Sequence, residues 1–282
     1  TDQLTTFDAK SNSLDCIEVN ADDIDYATAN WTSANGNIDA GVTFADICYA
    51  SNPSYTNVPD NNFEQALIDL GYDDVLDDYV LTANISGVTI LYIADEEIVD
   101  MTGIEDFSAL TNLDLPNNEI TSIDVSNNTA LTLLSVGGNQ LTSLDVSANT
   151  ALTSLQVENN QFTSLDVSAN TALTTLWCHG NQLTSLDISN NSALETLSSQ
   201  DNSLSSLDLS ANTSLEYLSC MRNQLTALDL SQNISLNHLN CNSNQLTTLD
   251  LTNNSALTLV ECFNNDLSTF TLNTPLLTTL LA

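Results

Sequence analysis

The chain has almost no basic residues. Lys10 and Arg222 stand against 37 acidic side chains, for a formal net charge of −35. Binding DNA, RNA or an anionic membrane surface needs cationic side chains to replace released counterions, so those are excluded as simple partners. What remains are cations, basic proteins and neutral glycans. Long apolar runs are also missing. None approaches the roughly 18–20 residues that span a bilayer, so no transmembrane helix is expected. Thr1 opens no signal peptide, and the chain reads as a mature fragment or a trimmed piece. Charged residues make up only 14% of the chain, and Asn, Ser and Thr dominate its polar surface. That composition fits an extracellular or cell-surface protein better than a cytosolic one. No EF-hand loop and no glycine-rich calcium-binding nonapeptide occurs.

What is present is a repeat. From Leu110 onward the chain returns to the same pattern every 21 residues, as in LTSLQVENNQFTSLDVSANTA (152–172) and LTTLWCHGNQLTSLDISNNSA (173–193). Such self-similarity means a solenoid, in which each turn buries its apolar face against its neighbours. Copies start at Leu110, Leu131, Leu152, Leu173, Leu194, Leu215, Leu236 and Leu257, and an earlier one at Val88. The first half of each fits L-x-x-L-x-L-x-x-N-x-L, as Leu173, Leu176, Cys178, Asn181 and Leu183 illustrate. The second half is a shortened copy of the first.

These residues resemble the bacterial leucine-rich repeat family, in particular its nested, IRREKO-type subclass. MTGIEDFSAL (101–110) resembles the opening of internalin-type arrays. L-x-L alternation in both halves leaves no room for a helix, so the expected fold is mainly β, with parallel sheets on both broad faces. Pro59-Asp60 followed by NNFEQALIDLG predicts a capping helix with Phe63, Ala66, Leu67 and Leu70 on one face, ended by Gly71. The expected organisation is 1–51 as a terminal repeat plus cap-like segment, 52–98 as linker and helical cap, and 88–282 as the array.

The two ends are unusual. Leu4, Phe7, Ala9, Asn12 and Leu14 fit the repeat, and DCIEVNADDIDYATANW (15–31) resembles the C-terminal cap of secreted Bacteroidetes-type arrays. That resemblance implies a Cys16–Cys48 disulfide, contributing roughly 3–4 kcal/mol on the loop-entropy model. Leu277, Leu280 and Ala282 begin another copy. The ends could meet between molecules as a head-to-tail filament, join covalently in a tandem parent, or fold back on each other.

Two columns look structural. Asn118 through Asn265 and Asn128 through Asn254 read as amide ladders that satisfy backbone groups at the turns. Cys178, Cys220, Cys241 and Cys262 share an inward column and read as small buried hydrophobes, with Ser199 in the missing rung. His179 must face the other way from Cys178, which argues against a Cys/His metal site or nucleophile.

The outward positions of the two half-repeats behave differently. In the second half they hardly change: Asp124, Asp145, Asp166, Asp187, Asp208, Asp229 and Asp250, each followed two residues on by Ser or Thr. Neighbouring carboxylates about 4.8 Å apart repel by roughly 1 kcal/mol in water, so hydrogen bonds, raised pKa values or bound calcium should compensate. Asp145, Asp166, Asp187, Asp208 and Asp229 are the metal candidates, with Asp22, Asp23 and Asp25 of the acidic cap; no other cofactor is expected. In the first half the outward residues vary widely. Gln156, Glu158, Trp177, His179, Gln200, Tyr217, Met221, His238, Asn240, Glu261 and Phe263 are the candidate ligand-binding residues, rich in types enriched at interface cores. No repeat-breaking pocket with paired catalytic groups is visible, so no enzyme is expected. The reading is an adhesion module for a protein or glycan; the alternative is a structural spacer or filament rod.

Overall fold

The computed structural model describes residues 55–282 throughout and, before them, residues 9, 16–19, 24–35, 38, 40 and 42–45. Cys48 and the Cys16 side chain lie outside the described residues, so the proposed disulfide does too. So do Leu4, Phe7, Asn12 and Leu14, Asp22 and Asp23, and the Asp25 side chain. In the first segment β1 (Cys16–Glu18) pairs in parallel with β2 (Thr43–Ala45), and α1 (Ile24–Asn30) lies between them in the chain. Trp31 is buried there, its ring 5.8 Å from that of Phe44.

The cap is built from β3 (Tyr55–Asn57), α2 (Asn61–Asp69), β4 (Tyr79–Leu81) and the short α3 (Thr82–Ile85), with β3 and β4 antiparallel. Asp60 caps α2 by accepting from the backbone N–H groups of Asn62 and Phe63. Its other oxygen accepts from Val99 and Asp100 at 2.8 and 2.9 Å, which ties the helix to the first repeat. Burial opposes ionisation of Asp60, but these four donors outweigh it and hold the carboxyl below its ordinary value. Phe63, Ala66 and Leu67 are buried as the helical pattern requires, whereas Leu70 is exposed. Leu70 ends the helix and Gly71 takes φ +80°, so Tyr72 N–H returns to Leu67 and Gly71 N–H to Ile68. That Schellman geometry turns the chain away before Leu70 can pack inward.

Nine of the array's strands are β5 (Ile90–Tyr92), β6 (Asn112–Asp114), β7 (Leu133–Ser135), β8 (Ser154–Gln156), β9 (Thr175–Trp177), β10 (Thr196–Ser198), β11 (Tyr217–Ser219), β12 (His238–Asn240) and β13 (Thr248–Leu251). Three more follow: β14 (Leu259–Glu261), β15 (Thr269–Leu272) and β16 (Thr279–Leu281). All but β13 and β15 join one ten-stranded parallel sheet with β5 at one edge and β16 at the other. Register follows the repeat, so Leu176 lies beside Leu197 and Leu197 beside Leu218. Cap and array share one continuous core, from Val58 to Cys262.

The second face is regular but pairs as strands only at β13–β15. One backbone bond per turn still crosses it, as from Gln161 N–H to Leu141 O at 2.8 Å. The aspartate column explains the difference. Through most of the array one carboxylate faces the next. At β13–β15 Asp250 faces Thr271 and accepts its hydroxyl at 2.7 Å, so a bond replaces a repulsion and the strands close.

The second asparagine column is buried at the turns, and the first is buried apart from the half-buried Asn181, Asn202 and Asn265. The Asn160 carbonyl accepts Leu141 N–H at 2.9 Å, and its amide donates to Val136, Val157 and Glu158 carbonyls. One side chain thereby links two successive turns. In the second column Asn170 donates to Val146 and Asn149 carbonyls, while its own carbonyl oxygen has no protein partner among the described residues. Residues just before the first column take positive φ, including Asn159, Gly180, Asp201 and Arg222. Asn, Gly and Asp tolerate that region best.

Asn160→Ala is expected to cost about 2–4 kcal/mol, because it strands backbone groups on two adjoining turns. Asn170→Ala should cost less, since only its amide is engaged. Urea unfolding midpoints check this; an unchanged midpoint for Asn160→Ala would remove the ladder's structural role.

Candidate functional site

Strand alternation sends every second residue of the ten-stranded sheet outward, and register stacks those residues in columns. One column runs Gln156, Trp177, Ser198, Ser219, Asn240 and Glu261 from β8 to β14. The column before it runs Ser154, Thr175, Thr196, Tyr217, His238 and Leu259. Glu158, His179, Gln200, Met221 and Phe263 lie two residues past the Gln156–Glu261 column, where the chain leaves the strand. All eleven residues singled out by variability therefore share one face. Trp177 and Tyr217 are on the same side of the coil.

The side chains on this face engage one another. Tyr217 and His238 stack, ring centroids 4.5 Å apart and 28° between planes. Burial lowers the His238 pKa, with the Glu261 charge opposing. Ser198 Oγ lies 3.2 Å from His179 Nδ1 and donates to Gln200 at 2.6 Å. Asn240 donates to the Glu261 carboxylate, and Asn242 donates to the Asn240 carbonyl at 2.7 Å. Ser198 and Ser219 are buried, whereas Trp177 and Phe263 each remain 37% exposed. Small residues thus lie between large ones on this face. At its border Arg222 forms a two-pronged pair with Asp201, Nη2 to Oδ2 being 3.0 Å.

Variability missed two members of the face. Ile90 and Tyr92 on β5 are 62% and 58% exposed, side by side with Asn112 and Asp114 of β6. Their signal was positional: both precede the well-formed copies but occupy the same outward columns.

The aspartates make a different surface. Each carboxylate bonds the backbone N–H two residues on, as Asp166 does with Ser168 and Asp187 with Ser189, at 2.9 and 3.0 Å. These bonds to the serine hydroxyl and N–H lower the pKa of Asp145, Asp166, Asp187, Asp208 and Asp229. The column thus closes turns locally. Among the described residues no three His, Cys, Asp or Glu side chains converge on one point.

Cys178, Cys220, Cys241 and Cys262 are free and buried. Burial pushes the Cys178 and Cys220 thiols up to about 12, so they are inert as nucleophiles at neutral pH. Ser199 occupies the intervening rung, its hydroxyl donating to the Ser219 carbonyl at 3.4 Å.

No protein-family model matches the chain, and no curated protein matches it. Solved structures do. The functional domain of InlJ from Listeria monocytogenes, which includes a cysteine ladder, is 36% identical over 76% of this chain and 53% of its own, with a TM-score of 0.64. The chain spans about half the length of that structure. Internalin C2 from L. monocytogenes str. 4b F2365 is 22% identical over 77% of this chain and 92% of its own, with a TM-score of 0.56. The ectodomain of the Arabidopsis thaliana receptor kinase GASSHO1/SCHENGEN3, solved with CASPARIAN STRIP INTEGRITY FACTOR 2, is 22% identical over 68% of this chain and 27% of its own, with a TM-score of 0.59. The latter two likenesses speak to fold alone. The fold is a leucine-rich repeat solenoid of the kind seen in bacterial internalins.

The aspartate column makes a signed prediction. A carboxyl with a depressed folded pKa stabilises above its unfolded value, near 3.8, and that contribution is lost as pH falls through the folded pKa. The melting temperature should therefore drop below about pH 4. Replacing Asp166, Asp187 and Asp208 with Ala should flatten that drop. If repulsion dominated instead, acidification would raise the melting temperature.

Proposed function

We propose that this chain is an extracellular adhesion module that binds a protein partner through the ten-stranded sheet face. The observation behind this is the contrast between two faces built by one repeat. The aspartate face keeps one residue type in seven turns because the turn uses it. The sheet face changes residue at almost every turn, and the changes bring in Trp177, Tyr217, Met221, His238 and Phe263. No turn or core needs those side chains there. Their half-covered aromatic surface suits a partner that completes the burial, as interface hot spots do. The likeness to internalin-type and receptor-ectodomain folds supports binding as the general role. A glycan would use the same rings, but the apolar Ile90, Tyr92, Leu259 and Phe263 positions favour a polypeptide.

The double variant Trp177→Ala/Tyr217→Ala tests this. On an array of extracellular proteins and glycans, retention of the chain should fall at least ~10-fold, since paired aromatic hot spots each contribute about 2 kcal/mol or more. Asp166→Ala/Asp208→Ala, on the opposite face, should retain binding. Equal retention by both variants would leave a spacer rod as the better reading. Retention on glycans alone would replace the protein partner with a carbohydrate.

A further inference from the structure

The cap holds a carboxylate that the fold does not fully use. Glu64 on α2 is wholly buried. Its Oε1 accepts the backbone N–H groups of Asp77 and Tyr79, at 2.8 and 3.2 Å, pinning the loop that leads into β4. Its Oε2 is equally buried and has no hydrogen-bond partner. On the same loop the Asp73 Oδ2 is also buried and without a partner. The two carboxyls feel each other. Burial pushes the Asp73 carboxyl above its ordinary value, and the charges of Glu64, Asp77 and Asp74 push the same way. A groove of about 430 Å³ opens beside Asp73, lined also by Asp74, Asp77, Tyr55, Tyr72 and Tyr79 among others.

Two interacting carboxyls with unpartnered buried oxygens are relieved by a proton or by a cation. Among the described residues Arg222 is the sole lysine or arginine, and it already pairs with Asp201 far along the array. The free oxygens, one on α2 and one on the loop, are hard donors, the chemistry that selects calcium over softer metals.

We propose that Glu64 Oε2 and Asp73 Oδ2 anchor a calcium ion that ties α2 to the loop 72–78. Two carboxylates do not fill a calcium shell of about six to eight oxygens, so loop carbonyls and water complete it. The ion neutralises the buried acids and locks the cap over the first turn of the array. It acts at the cap, away from both the variable sheet and the aspartate column.

The test is calorimetric titration of calcium chloride into the full 282-residue chain at about 0.15 M salt, which screens diffuse binding to the acidic surface. One saturable site with a Kd of about 0.1–1 mM is expected, the range of extracellular calcium modules. The melting temperature should rise with calcium, because the ion binds the folded state. Asp73→Asn, at a half-buried loop position, should keep the fold by circular dichroism and weaken binding by ~10-fold or more. Glu64→Gln should do the same, and Asp187→Asn should leave binding unchanged. Absence of saturable heat would overturn the proposal. So would equal binding by the wild type and Asp73→Asn. Melting that ignores calcium but shifts with pH in a way Asp73→Asn abolishes would also overturn it, and would assign a shared proton to the pair.

Discussion

The rod depends on one side-chain amide per turn. A solenoid turn must reverse its chain direction, and reversal leaves backbone N–H and carbonyl groups facing the core with no strand beside them. The first asparagine column meets that need. Asn160 accepts from and donates to the preceding turn while also donating to carbonyls of its own, and its equivalents repeat this along the array. Leucine columns supply the burial, but they would fill a coil of any pitch. The amide sets the spacing, because its donors and acceptors must reach neighbouring turns at hydrogen-bond distance. A sheet with Leu176, Leu197 and Leu218 in register follows from that spacing.

That constraint divides the molecule's surface. Inward positions are tied to leucine, valine or cysteine by packing, and turn positions to Asn, Gly or Asp by the left-handed backbone and the ladder. On the second face the aspartate is also occupied, because it bonds the N–H of its own turn. Outward positions of the sheet alone carry no structural duty. Variation there is physically permitted, and the side chains found there are ones that water solvates poorly. Part of the strong negative charge sits on the second face, on seven aspartates that close turns. It keeps the rod soluble without specifying the sheet's partner.

The cysteine column shows how one position can look chemical and be structural. Four thiols at fixed spacing suggest metal or redox chemistry. Burial instead suppresses ionisation, and the polar Ser199 fits one rung by bonding a carbonyl within reach. His179, next to Cys178 in sequence, points to the other face and meets Ser198 there. Alternation along a strand separates neighbours more surely than distance in sequence does.

Much of this was legible in the amino-acid sequence. A strict period and inward/outward alternation are local properties, so they determined the solenoid, the buried columns, the asparagine ladders, the capping helix and the membership of the variable face. What required tertiary structure were properties that depend on which turns meet. Strand pairing on the second face turns on whether Asp250 meets a carboxylate or the Thr271 hydroxyl one turn away. The stacking of Tyr217 on His238, and the lowered pKa of that ring, depend on adjacent turns bringing two large side chains into one column. Leu70 breaks the helical pattern because the Gly71 turn redirects the chain. Glu64 and Asp73, nine positions apart, become a pair only when the loop folds back over α2, since burial and charge proximity are set by packing and leave no periodic trace in the chain.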